Sequence, residues 1–444
     1  MKRRTFLHTT PALFSLPGLS RRAPAPRHAH LRPRQTQRRV ALIGCGWYGK
    51  SDLFRLLQVA EVEVVGLCDV DQHMIEGANN LLRERHPGQR PALYADYRDL
   101  LDNARPDIVL IATPDHWHAL QAIAAIEAGA HVYLQKPVGV DVRECEAVLD
   151  AAREHERVVQ VGLQRRSTPH LIQAKREVVE AGLLGTIGHV DLCCYYPMRD
   201  TAVREVEPIP GFFNYDAWTG PAPLLPFKGL PHRRWRSFQA YGNGIVGDMC
   251  VHMLDMTRWM LGLGWPERVT STGGIYVQTE ADATTTDTQL ATFAYPDFNC
   301  HWIHRSYGRA ADPDFPWAMT IYGYKGTLAA DPYKYDFTPR KEDTRRLEAV
   351  YERQAFPEDV TEEGIEIHAA PATRAHMQDF LAAIDGGSRP VADIEEGYIS
   401  TASCVLANLA MNGPALRYDP GKRELVGGPE EWLARDYRSG YQHP

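Results

Sequence analysis

The chain has 444 residues, of which 44% are hydrophobic and 24% charged, so it is long enough for two domains and has a globular composition. The formal net charge is -7, yet residues 1–39 hold ten Lys and Arg and no Asp or Glu, which leaves 39 basic against 56 acidic side chains. Phosphate backbones would repel so acidic a body, which excludes nucleic acid as a partner. No apolar run reaches the about 18 residues of a membrane span, so we expect no membrane insertion.

Residues 1–37 are predicted to be a signal and basic linker outside the fold. Arg3 and Arg4 precede Phe6, Leu7 and a weakly apolar stretch, a pattern that resembles a twin-arginine export signal. That pathway carries folded proteins, so the pattern predicts a periplasmic location. The alternative is a disordered basic tail on a cytoplasmic protein.

A strand, a glycine turn and a helix follow. Val40–Ile43 is apolar, and Gly44, Gly46 and Gly49 form G-x-G-x-x-G before apolar residues at helical spacing. These glycines allow the tight turn, the approach of backbone to a pyrophosphate and close helix–strand packing. The next strand ends at Asp69, where a Rossmann carboxylate binds the ribose hydroxyls. Because a carboxylate repels a 2′-phosphate, NAD is favoured over NADP.

Strands continue to alternate with helices, which predicts a doubly wound parallel sheet and a Rossmann domain at 38–163 for NAD(P). Ligands bind such sheets at the carboxyl ends of the strands. The predicted cofactor-binding residues are Gly44, Gly46, Trp47, Tyr48, Gly49, Asp69, Thr113, Pro114, His118, Lys136, Pro137 and Gln164.

The remainder, 164–444, is predicted to be an α+β domain for substrate binding and oligomerisation. Residues 197–241 are rich in Pro, Gly and aromatic residues, and long irregular segments of this kind are usually functional. Alternating β-rich runs then predict an open, mostly antiparallel sheet. The helices that follow it are candidates to return to the Rossmann domain.

The segment GNGIVGDMCVH places Asp248 four residues before His252. On a helix these side chains share one side, so the carboxylate could orient the imidazole. Histidine titrates near neutral pH and suits the removal of a hydroxyl proton. Taken alone, the pair is more typical of a solvated helix face.

The Rossmann start, TPDHWH, AGAHVYLQKP, VGLQRRSTP and GDMCVHMLD, in this order, resemble the glucose–fructose oxidoreductase/inositol dehydrogenase (Gfo/Idh/MocA) superfamily from about residue 38 to the C-terminus. The resemblance implies that His252 is the general acid/base, aided by Asp248 and by Lys136 beside substrate and nicotinamide. It also implies a cis peptide bond before Pro137. Gln135 replaces the usual Glu, which leaves the effect on the lysine open.

Other polar and aromatic residues allow two interpretations each. His116 and His118 lack a carboxylate cluster, so no metal site is predicted. Arg165 and Arg166 are either donors to substrate or partners in domain-interface salt bridges, and Trp218 and Trp235 either stack on a sugar or belong to the core. The predicted substrate residues are Lys136, Arg165, Arg166, Trp218, Trp235, Asp248 and His252.

We therefore expect an NAD(P)-dependent oxidoreductase that transfers a hydride between nicotinamide and a secondary alcohol or ketone of a sugar, cyclitol or glycoside. Export would require a retained, self-recycling cofactor. Redox-neutral glycoside hydrolysis with NAD is the alternative enzyme, and a non-catalytic sugar-binding protein is the alternative outside catalysis. The expected partners are a small sugar or polyol and further copies of the chain, as a dimer or tetramer.

Overall fold

A computed structural model describes residues 37–341, 347–350 and 365–444. The twin-arginine-like pattern lies outside these residues, so its role stays a prediction. Among the described residues, we find no helix that is both long and apolar enough to cross a bilayer.

The first part of the chain forms a six-stranded sheet in the order β3-β2-β1-β4-β5-β6, in which every neighbouring pair is parallel. Its elements are β1 Arg38–Ile43, α1 Trp47–Val59, β2 Val62–Cys68, α2 Gln72–Arg85, β3 Ala92–Tyr94, α3 Tyr97–Ala104, β4 Ile108–Ile111, α4 His118–Glu127, β5 His131–Leu134, α5 Val142–Glu154 and β6 Val159–Val161. A 3₁₀ turn at Asp115–Trp117 precedes α4.

Both faces of this sheet are covered. Along β1, Ala41 and Ile43 belong to the core cluster that includes α3, α4 and α5, whereas Val40 and Leu42 belong to the cluster that includes α1 and α2. Strands buried on both faces have no polar alternation, which explains the uninterrupted apolar runs in the sequence. The predicted Rossmann sheet is confirmed.

The second part forms an eight-stranded sheet in the order β14-β13-β12-β11-β7-β10-β9-β8. Its neighbours are antiparallel except for the parallel pair β7 and β10. Its elements are a 3₁₀ turn Gln164–Ser167, α6 Pro169–Ala174, a π-helical turn Lys175–Glu180, β7 Ile187–Cys194, α7 Tyr215–Thr219, a 3₁₀ helix His232–Ser237, a π-helical turn Val246–Cys250, α8 Val251–Leu261, β8 Arg268–Gly274, β9 Thr288–Ala294, β10 Asn299–Arg305, β11 Trp317–Gly323, β12 Gly326–Ala330, β13 Lys334–Pro339, β14 Leu347–Val350, α9 Ala370–Gly386, α10 Ile394–Leu409, β15 Arg417–Asp419, β16 Glu424–Val426 and a 3₁₀ turn Glu430–Leu433.

One face of this sheet is buried and the other is open. In β8, β9 and β10 every second residue is buried, the pattern of a sheet that packs on one face only. The inner face contacts α8 and α10. The predicted open, mostly antiparallel sheet is therefore confirmed.

Two late helices pack on the Rossmann domain. α9 contacts α1 and places Met377 and Phe380 in one core cluster with Leu53 and Phe54, and α10 packs along α5. The two sheets are therefore connected by shared helices as well as by the chain between β6 and α6.

Candidate active site

The glycine turn after β1 has the backbone geometry that a dinucleotide site needs. Gly44 has φ +92°, a conformation that side chains rarely adopt. A Cβ on Gly49 would lie 1.9 Å from the carbonyl oxygen of Gly44, so only glycine allows this approach of helix to strand. The first turn of α1 contains no acidic residue, which leaves its positive end available to an anion.

Asp69 is fixed beside this turn. Its Oδ2 accepts a hydrogen bond of 2.8 Å from the backbone N–H of Cys45, and its Oδ1 accepts one of 3.0 Å from the N–H of Asp71. Burial raises the pKa of the Asp69 carboxyl to about 6, although these bonds lower it. At neutral pH the carboxyl group is ionised, and the two hydrogen bonds fix its position.

A cavity of about 700 Å³ opens between the carboxyl ends of the Rossmann strands and the 197–241 segment. Of the predicted site residues, those that line it are Gly44, Gly46, Trp47, Tyr48, Asp69, Thr113, Pro114, Trp218 and Trp235. Gly49, His118, Lys136, Pro137, Gln164, Arg165, Arg166, Asp248 and His252 do not line it. Trp218 and Trp235 also belong to a buried aromatic cluster, so they have a core role, and stacking on a sugar stays a prediction.

Lys136 and Asp248 form an ion pair next to Arg236, a residue that lines this cavity. The Lys136 Nζ donates to the carbonyl oxygen of Asp248 at 2.8 Å and to its Oδ1 at 2.5 Å. The Lys136–Pro137 peptide bond is cis, as the resemblance implies. Arg236, which lines the cavity, places its Nε 3.3 Å from the Asp248 Oδ2. Burial would raise the pKa of Asp248, but Lys136 and Arg236 hold it well below its usual range.

His252 lies next to this ion pair, at the start of α8. Its ring is buried and meets the Trp317 ring edge-on, with centroids 5.7 Å apart. Its Nδ1 has no hydrogen-bond partner among the described residues. Burial and the charges of Lys136 and Arg165 lower the pKa of His252 well below the usual range, which makes the imidazole neutral at pH 7. A neutral, buried imidazole beside a cation is suited to accept a proton.

Asp115 and Arg236 are the residues that sequence reasoning missed. Asp115 is buried within the electrostatic reach of Lys136, Asp248 and Arg236, and burial raises the pKa of its carboxyl to about 8. The signal for Asp115 was an acidic residue directly after Thr113-Pro114 at a strand end. For Arg236 it was the basic run HRRWR within a segment expected to be functional.

Gln135 points away from the lysine that follows it. Its Nε2 donates to the Asp52 Oδ2 of α1 at 2.7 Å, in a buried setting. Burial raises the pKa of Asp52 to about 8, although Gln135 lowers it. A glutamate here would face a second carboxyl group, so the amide suits this chain and leaves Lys136 to Asp248.

His118 and Gln164 hold other parts of the site in place. The His118 Nδ1 lies 2.6 Å from the carbonyl oxygen of Pro137, and its Nε2 lies 2.8 Å from that of Thr113. The imidazole thereby connects the ends of β4 and β5. The Gln164 Nε2 donates to the hydroxyl of Tyr48 at 2.6 Å and so steadies a residue that lines the cavity.

The two neighbouring arginines have different surroundings. Arg166 makes two hydrogen bonds of 2.8 Å to Asp255 and one of 2.8 Å to Glu396, so it belongs to a buried salt bridge between α8 and α10. The Arg165 guanidinium lies over the Trp317 ring at 5.4 Å, near His252, and its buried Nε lacks a hydrogen-bond partner among the described residues. Arg165 therefore remains a predicted substrate residue, whereas Arg166 is a partner in a salt bridge.

Comparison with known families gives two matches. Residues 38–163 match a family described as "Oxidoreductase family, NAD-binding Rossmann fold", and residues 205–414 match "Oxidoreductase family, C-terminal alpha/beta domain". Residues 415–444 lie beyond both matches.

Individual relatives agree with this. The chain is 25% identical over 292 residues to the uncharacterized oxidoreductase YrbE of Bacillus subtilis, across 66% of this chain and 73% of that protein. It is 34% identical over 130 residues to a glycosyl hydrolase family 109 protein of Shewanella baltica, across only 28% of each chain. The structure of aldose-aldose oxidoreductase from Caulobacter crescentus shares the fold, with a TM-score of 0.62 at 17% identity over 88% of this chain and 99% of that chain.

The contrast between the two arginines predicts different mutational outcomes. Arg166→Ala leaves Asp255 buried without its main partner, so we expect a loss of about 3–5 kcal/mol in the free energy of unfolding. Arg165→Ala removes one cation–π contact and should cost about 1–2 kcal/mol. Denaturant unfolding followed by circular dichroism measures both. Equal losses would contradict the assignment of Arg166 to structure and Arg165 to the site.

Proposed function

The chain belongs to the Gfo/Idh/MocA family of NAD-binding oxidoreductases that act on alcohol groups, and we propose that it interconverts a secondary alcohol and ketone on a sugar, cyclitol or glycoside. The observation that carries this proposal is the neutral, buried His252 beside the Lys136–Asp248 ion pair. These groups lie at the carboxyl ends of Rossmann strands, where such sheets bind their ligands.

Four side chains have separate roles in the proposed interconversion of alcohol and ketone. His252 takes the hydroxyl proton during oxidation and returns it during reduction. Lys136 stabilises the negative charge that develops on the substrate oxygen, because its ammonium is held in a largely buried site. Asp248 holds Lys136 in position, and Arg165 donates to the sugar.

The residues present fit a dinucleotide. The left-handed Gly44, the close approach at Gly49 and the open N-terminus of α1 form a pyrophosphate cradle, and Asp69 lines the same cavity. A bound nicotinamide supplies the two-electron redox partner of the alcohol. In this proposal residues 38–163 bind the dinucleotide, and Gly46, Trp47, Tyr48, Thr113, Pro114, Pro137, His118 and Gln164 contact or position it. NAD is the proposed form, because the anionic Asp69 disfavours a 2′-phosphate.

Residues 164–444 form the proposed substrate and oligomer domain. Trp218 and Trp235 offer ring faces at the cavity wall for stacking on the sugar. The open face of the eight-stranded sheet exposes Leu290 and Tyr322, which supports contact with another copy in a dimer or tetramer. If residues 1–37 direct export, the cofactor must stay bound and be recycled by a second substrate.

A second candidate is redox-neutral hydrolysis of a glycoside by oxidation, elimination, hydration and re-reduction. The partial likeness to a glycosyl hydrolase family 109 protein favours it. Both candidates use the same His252 and Lys136, and they differ only in whether the glycosidic bond is broken.

The proposal is tested on full-length protein purified without added cofactor. Denaturation should release near-stoichiometric NAD, and a panel of sugars should produce the absorbance of reduced nicotinamide in the native protein. We expect His252→Asn to lower kcat by about 10²–10⁴-fold. Release of a free aglycone from a chromogenic glycoside would select the hydrolase. Bound NAD without any turnover would point instead to a sugar-binding protein.

The pH dependence of oxidation follows from the lowered pKa of His252. The base form is present wherever the pH exceeds that pKa, so the acidic limb of kcat/KM should lie below pH 6.5. A pH–rate profile with an oxidised sugar measures this, with His189→Asn on the open sheet face as the control. An acidic limb above pH 6.5 would mean that another group accepts the proton.

Asp69 sets the preference between the two dinucleotides. Asp69→Ala should weaken NAD binding about tenfold through the loss of charged hydrogen bonds to the ribose. Asp69→Asn removes only the charge, so in both variants the ratio of NADP to NAD affinity should rise. Fluorescence titration with the reduced dinucleotides gives this ratio, and Asp297→Ala, in the exposed turn between β9 and β10, serves as the control. An unchanged ratio would show that Asp69 does not select between the ribose 2′-hydroxyl and a 2′-phosphate.

A further inference from the structure

Residues 427–444, here called the strap, cross from the Rossmann domain to the 197–241 segment. On the Rossmann side, the strap binds two buried acidic side chains at the start of α5. The Asp141 Oδ2 accepts from the backbone N–H of Arg435 at 2.9 Å and lies 2.8 Å from the His443 Nε2. The Tyr437 hydroxyl donates to the Glu144 Oε1 at 2.5 Å.

On the other side, Arg438 attaches the strap to α7. Its backbone N–H donates to the carbonyl oxygen of Pro221 at 2.9 Å, and its guanidinium donates to the Asp216 Oδ1 at 2.8 Å and to the carbonyl oxygen of Gly220 at 2.5 Å. The guanidinium thus binds one exposed carboxylate and the end of a short helix. The strap is therefore anchored both to the start of α5 and to α7.

Between these anchors, Tyr441 reaches the cavity itself. It lines the same 700 Å³ space as Gly44, Asp69 and Trp218. Its ring meets Trp117 edge-on, with centroids 5.7 Å apart, and the Arg438 guanidinium lies 5.4 Å from its centroid. The Trp117 Nε1 in turn donates to the carbonyl oxygen of Trp218 at 3.0 Å, so strap and segment meet at one tryptophan.

We propose that the strap completes the dinucleotide site, with Tyr441 as a binding residue and Arg438 as a positioning residue that holds it there. This inference rests on the proposed function, because it assumes that the cavity binds NAD. It concerns residues beyond both family matches, so it describes a feature of this chain.

In this proposal the strap slows the release of the cofactor. A dinucleotide in the cavity is covered by Tyr441. The strap must therefore detach from the start of α5 or from α7 before the cofactor can exit. Contacts that break only on exit slow dissociation more than they speed association. The strap thereby supplies the retention that a self-recycling enzyme requires.

The test measures release of NADH from full-length protein. NADH-loaded protein is mixed with excess NAD, and the loss of nicotinamide fluorescence gives the rate. We expect release about tenfold faster in Arg438→Ala and in Tyr441→Ala, as the loss of one charged hydrogen-bond group or one aromatic wall implies. Arg438→Lys, which keeps the charge, should give an intermediate rate. Arg389→Ala and Tyr276→Ala, whose side chains are exposed away from the cavity, are the matched controls.

Two further readouts separate positioning from loss of structure. Arg438→Ala should keep the far-ultraviolet circular dichroism of the wild type while its release rate rises, whereas a general loss of structure would change both. In the wild type, NAD should slow hydrogen exchange of the strap amides. Wild-type release rates in both variants, with NADH bound normally, would overturn the strap inference and leave the proposed function intact. A wild-type protein that binds no dinucleotide would overturn the proposed function and the strap inference together.

Discussion

The ion pair between Lys136 and Asp248 is the interaction on which the site depends. It connects the end of β5 in the Rossmann domain with the π-helical turn before α8, so each domain supplies one charge. Either charge alone would be largely buried without compensation, a situation that destabilises proteins by about 3–5 kcal/mol. The ion pair therefore stabilises the relative position of the two domains in which His252 lies beside the strand ends. Arg236 adds a contact from the 197–241 segment to the same carboxylate.

The 197–241 segment is irregular in backbone and nonetheless well packed. It has a small aromatic core of its own, with Phe213, Tyr215 and Trp218 at its centre. The His116 ring nitrogens lie near the carbonyl oxygens of Trp218 and Tyr241, at 3.0 and 3.4 Å. The two histidines of DHWH thus contact backbone carbonyl oxygens from different parts of the site and connect those parts.

Local patterns predicted the fold and part of the site. The glycine turn, Asp69 and the strand ends at Thr113 and Lys136 follow from short-range rules, because strand, turn and helix must occur in that order. Contacts between distant residues could not be predicted in this way. Whether Arg166 contacts a substrate or Asp255 depends on how α8 and α10 pack. Tyr441 lines the cavity although it follows the glycine turn by more than three hundred residues along the chain. Gln135 shows the same limit, since its partner Asp52 lies on a helix far earlier in the chain.

Three buried carboxyl groups alter how the protein exchanges protons with solvent. Burial raises the pKa of Asp52, Asp115 and Glu144 to about 8. In the unfolded chain these groups are ionised at neutral pH, so folding takes up protons there, and stability declines as the pH rises from the unfolded pKa values towards 8. The folded protein is accordingly less negative than the formal charge of -7. Its heat of unfolding near neutrality includes the ionisation heat of whichever buffer accepts the protons that unfolding releases.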